Sequence, residues 1–322
     1  MDGIEIKPVR VTNEELIENR YTNILKGNHA CAGCGGTLAM KIASKAFGRN
    51  VIYIIPASCS SVRQGFIPGS AMAAPVINTA FASAAAVASG VAAALEYKGE
   101  KDVVPVVRAG DGGTVDIGLA TLSGAAERGT NMIYVCYDNE EYGNTGYQRS
   151  GATPPAARTP TTPIRGKREF KKPVPVIIAE HPGVTYVATA STGYVPDLYK
   201  KSYRARHQVK VGFRYIHIHF TCPPGRGTDP GLSVILSKLA VDTGLRPLYE
   251  VVAGKRYLNG VTKKQYLEPE KYMKPIEEYL KPQRRYRRYT EEDIELLYKY
   301  RERYRGLIIP HVKATNPELE EI

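Results

Sequence analysis

The strongest constraint on the fold is a β-α-β pattern over residues 103–140. An apolar strand ends in the letters GDGG at 110–113, a helix follows over 114–129, and a second apolar strand covers 131–140. A unit of about forty residues with this order is typical of a parallel sheet with helices on its faces. The pattern predicts an α/β fold with a doubly wound, mostly parallel sheet.

Patterns elsewhere extend this architecture. They predict a helix start at 12–16, a helix over 35–47, a buried strand over 51–56, a long helix of small residues over 72–97 and a strand over 174–181. The pattern weakens near residue 245. We therefore divide the chain into a main domain, 1–245, and a C-terminal helical arm, 246–322.

Composition narrows the possible partners. No run of about 18 apolar residues is present, so we expect no transmembrane helix. The first residues lack the plan of a signal peptide, which makes the cytoplasm the expected compartment.

The net charge of +12 is concentrated partly in the Arg- and Tyr-rich stretch 281–306. We interpret this stretch as a partner-facing helix whose aliphatic stems pack down, and not as a nucleic-acid site.

The GDGG letters and the next strand end predict a diphosphate site. Asp111 and Asn139 follow two neighbouring strands, and ligands of open α/β sheets bind outside such strand ends. The helix start between them offers free N–H groups to a phosphate. A carboxylate and an amide oxygen suit a Mg²⁺ that holds diphosphate oxygens. Thiamine diphosphate sites pair these two features.

Four cysteines are candidates for a second inorganic site. Cys31 and Cys34 precede the first helix, and Cys59 and Cys222 each follow a strand. A C-x-x-C pair alone fits a redox disulfide, half a zinc site or half an iron–sulfur site. Together with two distant cysteines it fits Zn²⁺ or a four-iron four-sulfur cluster, and the dispersed spacing favours the cluster.

Other cysteine and histidine residues have a different interpretation. Cys136 lies within an apolar strand and is predicted to be a buried small side chain. His217 and His219 alternate along a strand, so we expect packed, hydrogen-bonded histidines and no metal ligation. His29 precedes Cys31 by two positions and is predicted beside the cluster or the cofactor.

Several motifs together resemble one known family. They are HACAGCGG at 29–36, SCSS at 58–61, GDGGTVDIG at 110–118, LSGAAERG at 122–129, YDNEEYGNTGYQRSGATP at 137–154 and TCPPG at 221–225. In this order they resemble the β subunit of the 2-oxoacid:ferredoxin oxidoreductases, the pyruvate synthase family. The letters KPIEEYLKPQRRY at 274–286 are similar to that subunit's C-terminal arm.

The resemblance implies a role for each site residue. A 4Fe-4S cluster would be held by Cys31, Cys34, Cys59 and Cys222. Mg²⁺ would be held by Asp111, Asn139 and the backbone carbonyl of Glu141. The thiamine diphosphate would lie against Gly110, Gly112 and Gly113, with Asn144 facing the diphosphate or the reacting carbon, and with Ser58 and His29 nearby.

The resemblance also implies partners and a reaction. An α subunit would supply the aminopyrimidine half of the thiamine site, and further clusters would lie on a ferredoxin-like subunit or domain. The complex would be a dimer of heteromers that decarboxylates a 2-oxoacid and passes electrons to external ferredoxin. The main domain, 1–245, would bind the thiamine cofactor and the cluster, and the arm, 246–322, would contact other subunits.

Two departures from the family pattern bear on the substrate. Pyruvate-type members have an acid two residues after the cysteine where this chain has Ser61, and Arg63 follows. Arg226 stands where many members have tryptophan. Both changes add positive charge, so we assign Arg63 and Arg226 to a substrate carboxylate. This hypothesis slightly favours oxalate over pyruvate.

Two other classes of protein stay open from sequence. One is a thiamine-dependent decarboxylase with structural zinc, and metal analysis would identify it. The other is a basic RNA-binding module with a zinc site, which would bind RNA in a salt-sensitive manner. The spacing from GDGG to Asn139 argues against the RNA-binding class.

Overall fold

An eight-stranded sheet organises the computed structural model, which describes residues 4, 6–12, 16, 23–25 and 27–320. The strand order is β2-β1-β3-β4-β6-β5-β7-β8. The strands are β1 (Val51–Pro56), β2 (Val76–Thr79), β3 (Val104–Gly110), β4 (Met132–Asp138), β5 (Val184–Ser191), β6 (Phe213–His219), β7 (Tyr249–Val252) and β8 (Lys255–Leu258). Neighbours from β2 to β5 pair in parallel, and β7 and β8 pair antiparallel. The predicted α/β class is confirmed.

Helices cover both faces of the sheet. In the described residues the α-helices are α1 (Gly35–Phe47), α2 (Cys59–Gln64), α3 (Ala84–Tyr97), α4 (Leu119–Glu127), α5 (Val174–Ala179), α6 (Val195–Tyr203), α7 (Pro223–Arg226), α8 (Ser233–Asp242), α9 (Gly260–Leu267), α10 (Pro269–Tyr272), α11 (Ile276–Leu280) and α12 (Glu291–Thr315). Two π-helical turns lie at Gly112–Asp116 and Arg204–Gln208. None of these helices is both long and apolar enough to cross a bilayer.

Two hydrophobic cores lie on opposite faces of the sheet. Ile54 and Val107 belong to one core, and their chain neighbours Tyr53 and Val106 belong to the other. Side chains alternate between faces along a strand, so a strand covered on both sides needs apolar residues throughout. This explains the apolar runs of β1, β3 and β4, which are interrupted in β3 by the buried Arg108 and whose carboxyl ends share one edge.

Two predicted elements are wrong. The long helix expected over 72–97 is divided: β2 pairs in parallel with β1, and α3 starts only at Ala84. The strand expected over 174–181 is the helix α5, with Pro175 in its first turn, where a missing N–H costs nothing. The helix start predicted at 12–16 lies largely outside the described residues.

The C-terminal residues are not a separate arm within this chain. β7 and β8 extend the sheet beyond the predicted boundary at 245, and β7 pairs with β5. Leu297, Ile308 and Val312 of α12 are buried in the same core as β3 and β4 residues. The contact of 246–322 with other subunits stays a prediction.

Candidate functional site

A cavity of about 180 Å³ lies at the carboxyl edge of β1, β3 and β4. It brings together most of the residues predicted for the cofactor, namely Ser58, Gly110, Asp111, Gly112, Gly113, Asn139, Glu141 and Asn144. His29 does not line it and lies at a neighbouring cavity. The strand ends therefore converge as the β-α-β pattern predicted.

Glycines at the turn after β3 allow two aromatic rings to pack on the backbone. A Cβ at position 112 would collide with the Tyr142 ring, and one at 113 would lie 3.0 Å from the ring of Phe81. Tyr142 is fixed by its hydroxyl, which donates to Asp116 Oδ2 at 2.9 Å. Sequence reasoning missed Phe81, Tyr142 and Asp116, although GDGGTVD contains Asp116.

Three oxygen positions meet beside this turn. One amide atom of Asn139 lies 2.7 Å from Asp111 Oδ1 and 3.0 Å from the backbone oxygen of Glu141. If this atom is the amide nitrogen, its NH₂ group donates a hydrogen bond to each of the two oxygens. If it is the amide oxygen, the three oxygens form a set of three cation ligands. Neighbouring ligands of octahedral Mg²⁺ at 2.0–2.1 Å lie about 2.9 Å apart, so the spacing fits this ion.

The charge at Asp111 also suits a cation. Asp111 is 1 % exposed, and Ser150 Oγ donates to its Oδ2 at 2.5 Å. Burial, followed by the charge of Asp138, raises the pKa of Asp111 well above its usual range. The nearby Lys171 pairs with Asp138 and with no other acid in the described residues. A bound divalent cation would supply the missing positive charge.

The long loop over 151–173 supports the site. Lys171 at its end reaches Asp138, and Lys167 Nζ donates to the backbone oxygen of Thr153 at 2.7 Å. Lys172 Nζ donates to Asp116 Oδ1 at 2.6 Å. The loop therefore supplies three lysines that hold Asp138, Asp116 and the Thr153 backbone behind the site, which its composition did not reveal.

A second cavity, of about 140 Å³, contains the four predicted cysteine ligands. Cys31, Cys34, Cys59 and Cys222 line it together with His29. Cys31 is exposed and the other three are partly buried. The prediction for Cys136 is confirmed: it is buried in β4, and burial raises the pKa of its thiol.

Four thiols in one cavity can hold one Zn²⁺ or a four-iron four-sulfur cluster. No group of three or more His, Cys, Asp or Glu side chains in the described part of the chain is arranged to hold a metal ion. A four-iron cluster is larger than one ion, and each thiolate binds a different iron. Burial raises the pKa of Cys34, but the Arg63 guanidinium and Thr37 outweigh it and lower that pKa overall.

The two cavities share a wall. Cys59, Arg63, Asn139, Asn144 and Phe220 are among the residues that line both. The predicted thiamine site and the predicted cluster site therefore lie in direct contact, on either side of the loop after β4.

Ser58 and Ser61 have a structural role that the sequence did not suggest. Ser58 Oγ accepts from the N–H of Ser60 at 3.1 Å, and Ser61 Oγ accepts from the N–H of Ser58 at 3.1 Å. This reciprocal capping box starts the helix Cys59–Gln64. At the position where the resemblance implies an acid, Ser61 thus completes the capping box of this helix.

Arg226 does not face either cavity. Its side chain is fully buried, and its Nη2 lies 3.1 Å from Glu140 Oε2 and 3.0 Å from His219 Nε2. Its Nη1 contacts Tyr279. The expected pairing of Arg226 with a substrate carboxylate is therefore not supported, because its charge is already neutralised.

Glu140 is the centre of a buried ionic cluster that sequence reasoning missed. It pairs with Arg226, Arg246 and Arg285 and lies 3.3 Å from His219. Burial raises the pKa of Glu140, but the three arginines outweigh it and hold that pKa well below its usual range. The ionic cluster fixes Glu140, which lies between Asn139 and Glu141 in the sequence. It therefore positions these two predicted Mg²⁺ ligands.

The strand histidines are packed, as predicted. His217 Nε2 lies 2.8 Å from Asp138 Oδ2, and its Nδ1 lies 2.8 Å from the Tyr215 hydroxyl. His219 contacts Arg226 and Glu140.

Replacing Gly112 with Ala should weaken cofactor binding, because the added Cβ displaces Tyr142 from the cavity wall. We expect an affinity for thiamine diphosphate about tenfold lower and a stability loss of about 1–3 kcal/mol. Equilibrium dialysis and thermal unfolding would measure these. Gly90→Ala is the control, since no atom lies within 4 Å of its Cβ position in α3. An unchanged affinity in Gly112→Ala would contradict the prediction.

Comparisons with known proteins agree with this geometry. Residues 58–218 match the family model of the thiamine pyrophosphate enzyme C-terminal TPP-binding domain. The chain is 46% identical over 279 residues to pyruvate synthase subunit PorB of Methanothermobacter thermautotrophicus, covering 85% of this chain and 93% of that protein. It is 42% identical over 301 residues to ketoisovalerate oxidoreductase subunit VorB of Pyrococcus horikoshii, covering 89% and 94%.

A solved structure adds support for the fold. The 2-oxoglutarate:ferredoxin oxidoreductase from Magnetococcus marinus, with 2-oxoglutarate, coenzyme A and succinyl-CoA bound, aligns with a TM-score of 0.52. It is 29% identical, and the alignment covers 61% of this chain and 65% of that chain. With the relatives above, this shows that the chain belongs to the β subunits of the thiamine diphosphate-dependent 2-oxoacid:ferredoxin oxidoreductases.

Proposed function

We propose that this β subunit serves a pyruvate:ferredoxin oxidoreductase. The choice of substrate rests on the contacts that Arg226 and Arg63 make within the subunit. Arg226 is paired with Glu140 and lines neither cavity, and the two Nη atoms of Arg63 already donate to Cys34 and Ser60, so neither arginine is dedicated to a second carboxylate. A monocarboxylate 2-oxoacid therefore suits the site better than the dianion oxalate. The 46% identity to a pyruvate synthase subunit supports pyruvate among such acids.

The residues of this chain would hold and orient the cofactor. When bound, thiamine diphosphate supplies a thiazolium ring that stabilises the carbanion left by loss of CO₂. Asp111, Asn139 and the Glu141 carbonyl would hold the Mg²⁺ that binds the diphosphate. Gly112 and Gly113, on which the Tyr142 and Phe81 rings pack, would form the turn that faces the diphosphate. These roles are supported by the converging oxygens and by the two rings packed on the glycine turn.

Four cysteines would hold a 4Fe-4S cluster beside the thiamine site. The proposal is supported by the cavity that contains all four thiols and by its shared wall with the cofactor cavity. Contact between the two sites favours direct transfer of single electrons, since no further carrier is needed between them. Asn144 lines both cavities and would face the reacting end of the cofactor.

Partner subunits would complete the site. We assign the aminopyrimidine half to an α subunit and further clusters to a ferredoxin-like subunit or domain that passes electrons to external ferredoxin. A dimer of such heteromers is proposed. The loop after α2 supports a partner contact near the cavity, because Phe66 and Ile67 are each 91% exposed.

A substrate screen of the purified complex tests the proposal. With a viologen acceptor and coenzyme A, we expect kcat/KM for pyruvate to exceed that for 2-ketoisovalerate at least about tenfold, because a pocket that fits a methyl group excludes a larger side chain. Oxalate should give no reduction. Zinc analysis of the same sample tests the alternative of structural zinc, because iron and sulfide on the partner subunits would be present in either case. Oxalate turnover equal to that of pyruvate would overturn the substrate assignment.

A further inference from the structure

Arg63 lies between the cofactor cavity and the cysteine cavity. It lies in the helix Cys59–Gln64, is 5% exposed and lines both the cofactor cavity and the cysteine cavity. No other Arg or Lys in the described residues lines either cavity. Its guanidinium group therefore belongs to the wall that the two cavities share.

The guanidinium of Arg63 is fixed against one cysteine. Nη1 donates to Cys34 Sγ at 3.4 Å, and Nη2 donates to Ser60 Oγ at 3.1 Å. The guanidinium carbon lies 5.9 Å from the centre of the Phe220 ring. A Cβ at Gly36 would collide with Nη1, so the glycine makes room for this contact.

Arg63 has no acidic partner in the described part of the chain, in contrast to the three buried arginines around Glu140. Arg226, Arg246 and Arg285 all pair with Glu140, whereas Arg63 makes no ion pair with an acid in the described residues. Its Nε is buried without a hydrogen-bond partner. A buried charge is costly unless an opposite charge compensates for it. Cysteine thiolates are the anionic groups within its reach.

We propose that Arg63 is a positioning residue that raises the reduction potential of the cluster by placing its charge and one hydrogen bond on the Cys34 thiolate. The inference rests on the proposed function, since it requires the four cysteines to hold a cluster. The reduced cluster has accepted one electron and is one unit more negative than the oxidised cluster. A fixed cation therefore stabilises the reduced form more.

The test is a redox titration of the purified complex, followed by electron paramagnetic resonance. The complex has several clusters, so Cys59→Ser first identifies the signal that belongs to this chain. In Arg63→Gln we expect that signal to shift to a more negative midpoint potential while the other signals stay unchanged. Arg63→Lys, which keeps the charge, should shift it less. The KM for pyruvate should change by less than about twofold, because Arg63 does not bind substrate.

A matched charge removal is the control. Arg128 follows α4 at the opposite, amino-terminal edge of the strands and donates to Ser89. Arg128→Gln should leave every midpoint potential unchanged. If Arg63→Gln fails to retain iron, Gly36→Ala replaces it, since its methyl group moves Arg63 away from Cys34 and should also lower the potential.

The outcomes separate the two proposals. Full iron content with no signal lost in Cys59→Ser would refute the cluster on this chain, and with it the proposed function. A signal that is lost in Cys59→Ser but keeps its potential in Arg63→Gln would refute the Arg63 proposal alone. A raised KM with an unchanged potential would also refute it and return Arg63 to substrate binding.

Discussion

We expect Asp111→Asn to lower the turnover of the assembled enzyme at least about 100-fold. The change removes a proposed direct cation ligand, and losing an outer partner of a metal site already costs about 10–100-fold. The variant loses the negative charge of the Asp111 carboxylate, which supplies one of the three converging oxygens of the buried site. The affinities for Mg²⁺ and thiamine diphosphate should fall together, since the ion joins the diphosphate to the protein. Reconstitution of activity at increasing concentrations of each would measure both.

An exposed aspartate provides the control for this variant. Asp102 precedes β3 at the opposite edge of the sheet, so Asp102→Asn should leave both affinities unchanged. Wild-type affinity for thiamine diphosphate in Asp111→Asn would show that Asp111 does not hold the cation.

Glu140→Gln destabilises the subunit by about 3–5 kcal/mol, the cost of breaking a buried ion pair by removing one partner. The change leaves Arg226, Arg246 and Arg285 without a counter-charge in a dry environment. Because Glu140 stands between two proposed Mg²⁺ ligands, the affinity for the cofactor should fall as well. Denaturant unfolding and cofactor titration would measure the two effects.

Glu292→Gln is the matched control. Glu292 is 78% exposed at its side chain and pairs with Arg168 on the surface. Exposed pairs contribute about 0–1 kcal/mol, so this variant should unfold almost as the wild type does. Equal losses of stability in Glu140→Gln and Glu292→Gln would contradict a special role for the buried ionic cluster around Glu140.

Sequence patterns predicted the strands that form the site because those strands are apolar on both faces. β1 and α1 have the predicted bounds, and β3 and β4 lie within theirs. The pattern failed at 72–97 and 174–181. β2 is a short edge strand with only partly buried or exposed side chains, and α5 is a short apolar helix that resembles a strand. Short apolar runs cannot be assigned by periodicity alone.

The site was predictable to the level of motifs and no further. GDGG, Asn139, Cys59 and Cys222 follow strand ends, so their convergence follows from the topology, whereas Cys31 and Cys34 precede the first helix. The role of Arg226 depended on Glu140, which is distant in sequence and has no motif of its own. A count of positive charges therefore suggested an anionic substrate where the structure shows an internal pair.

The ion pair between Glu140 and Arg285 has a consequence for biogenesis. These residues are 145 positions apart, and the second belongs to a segment that leaves the ribosome late. The loop of Asn139 and Glu141 therefore reaches its final shape only after that segment has been translated. A domain folds as a unit, so the site can take its final shape and load its cofactor only after nearly the whole chain has been translated.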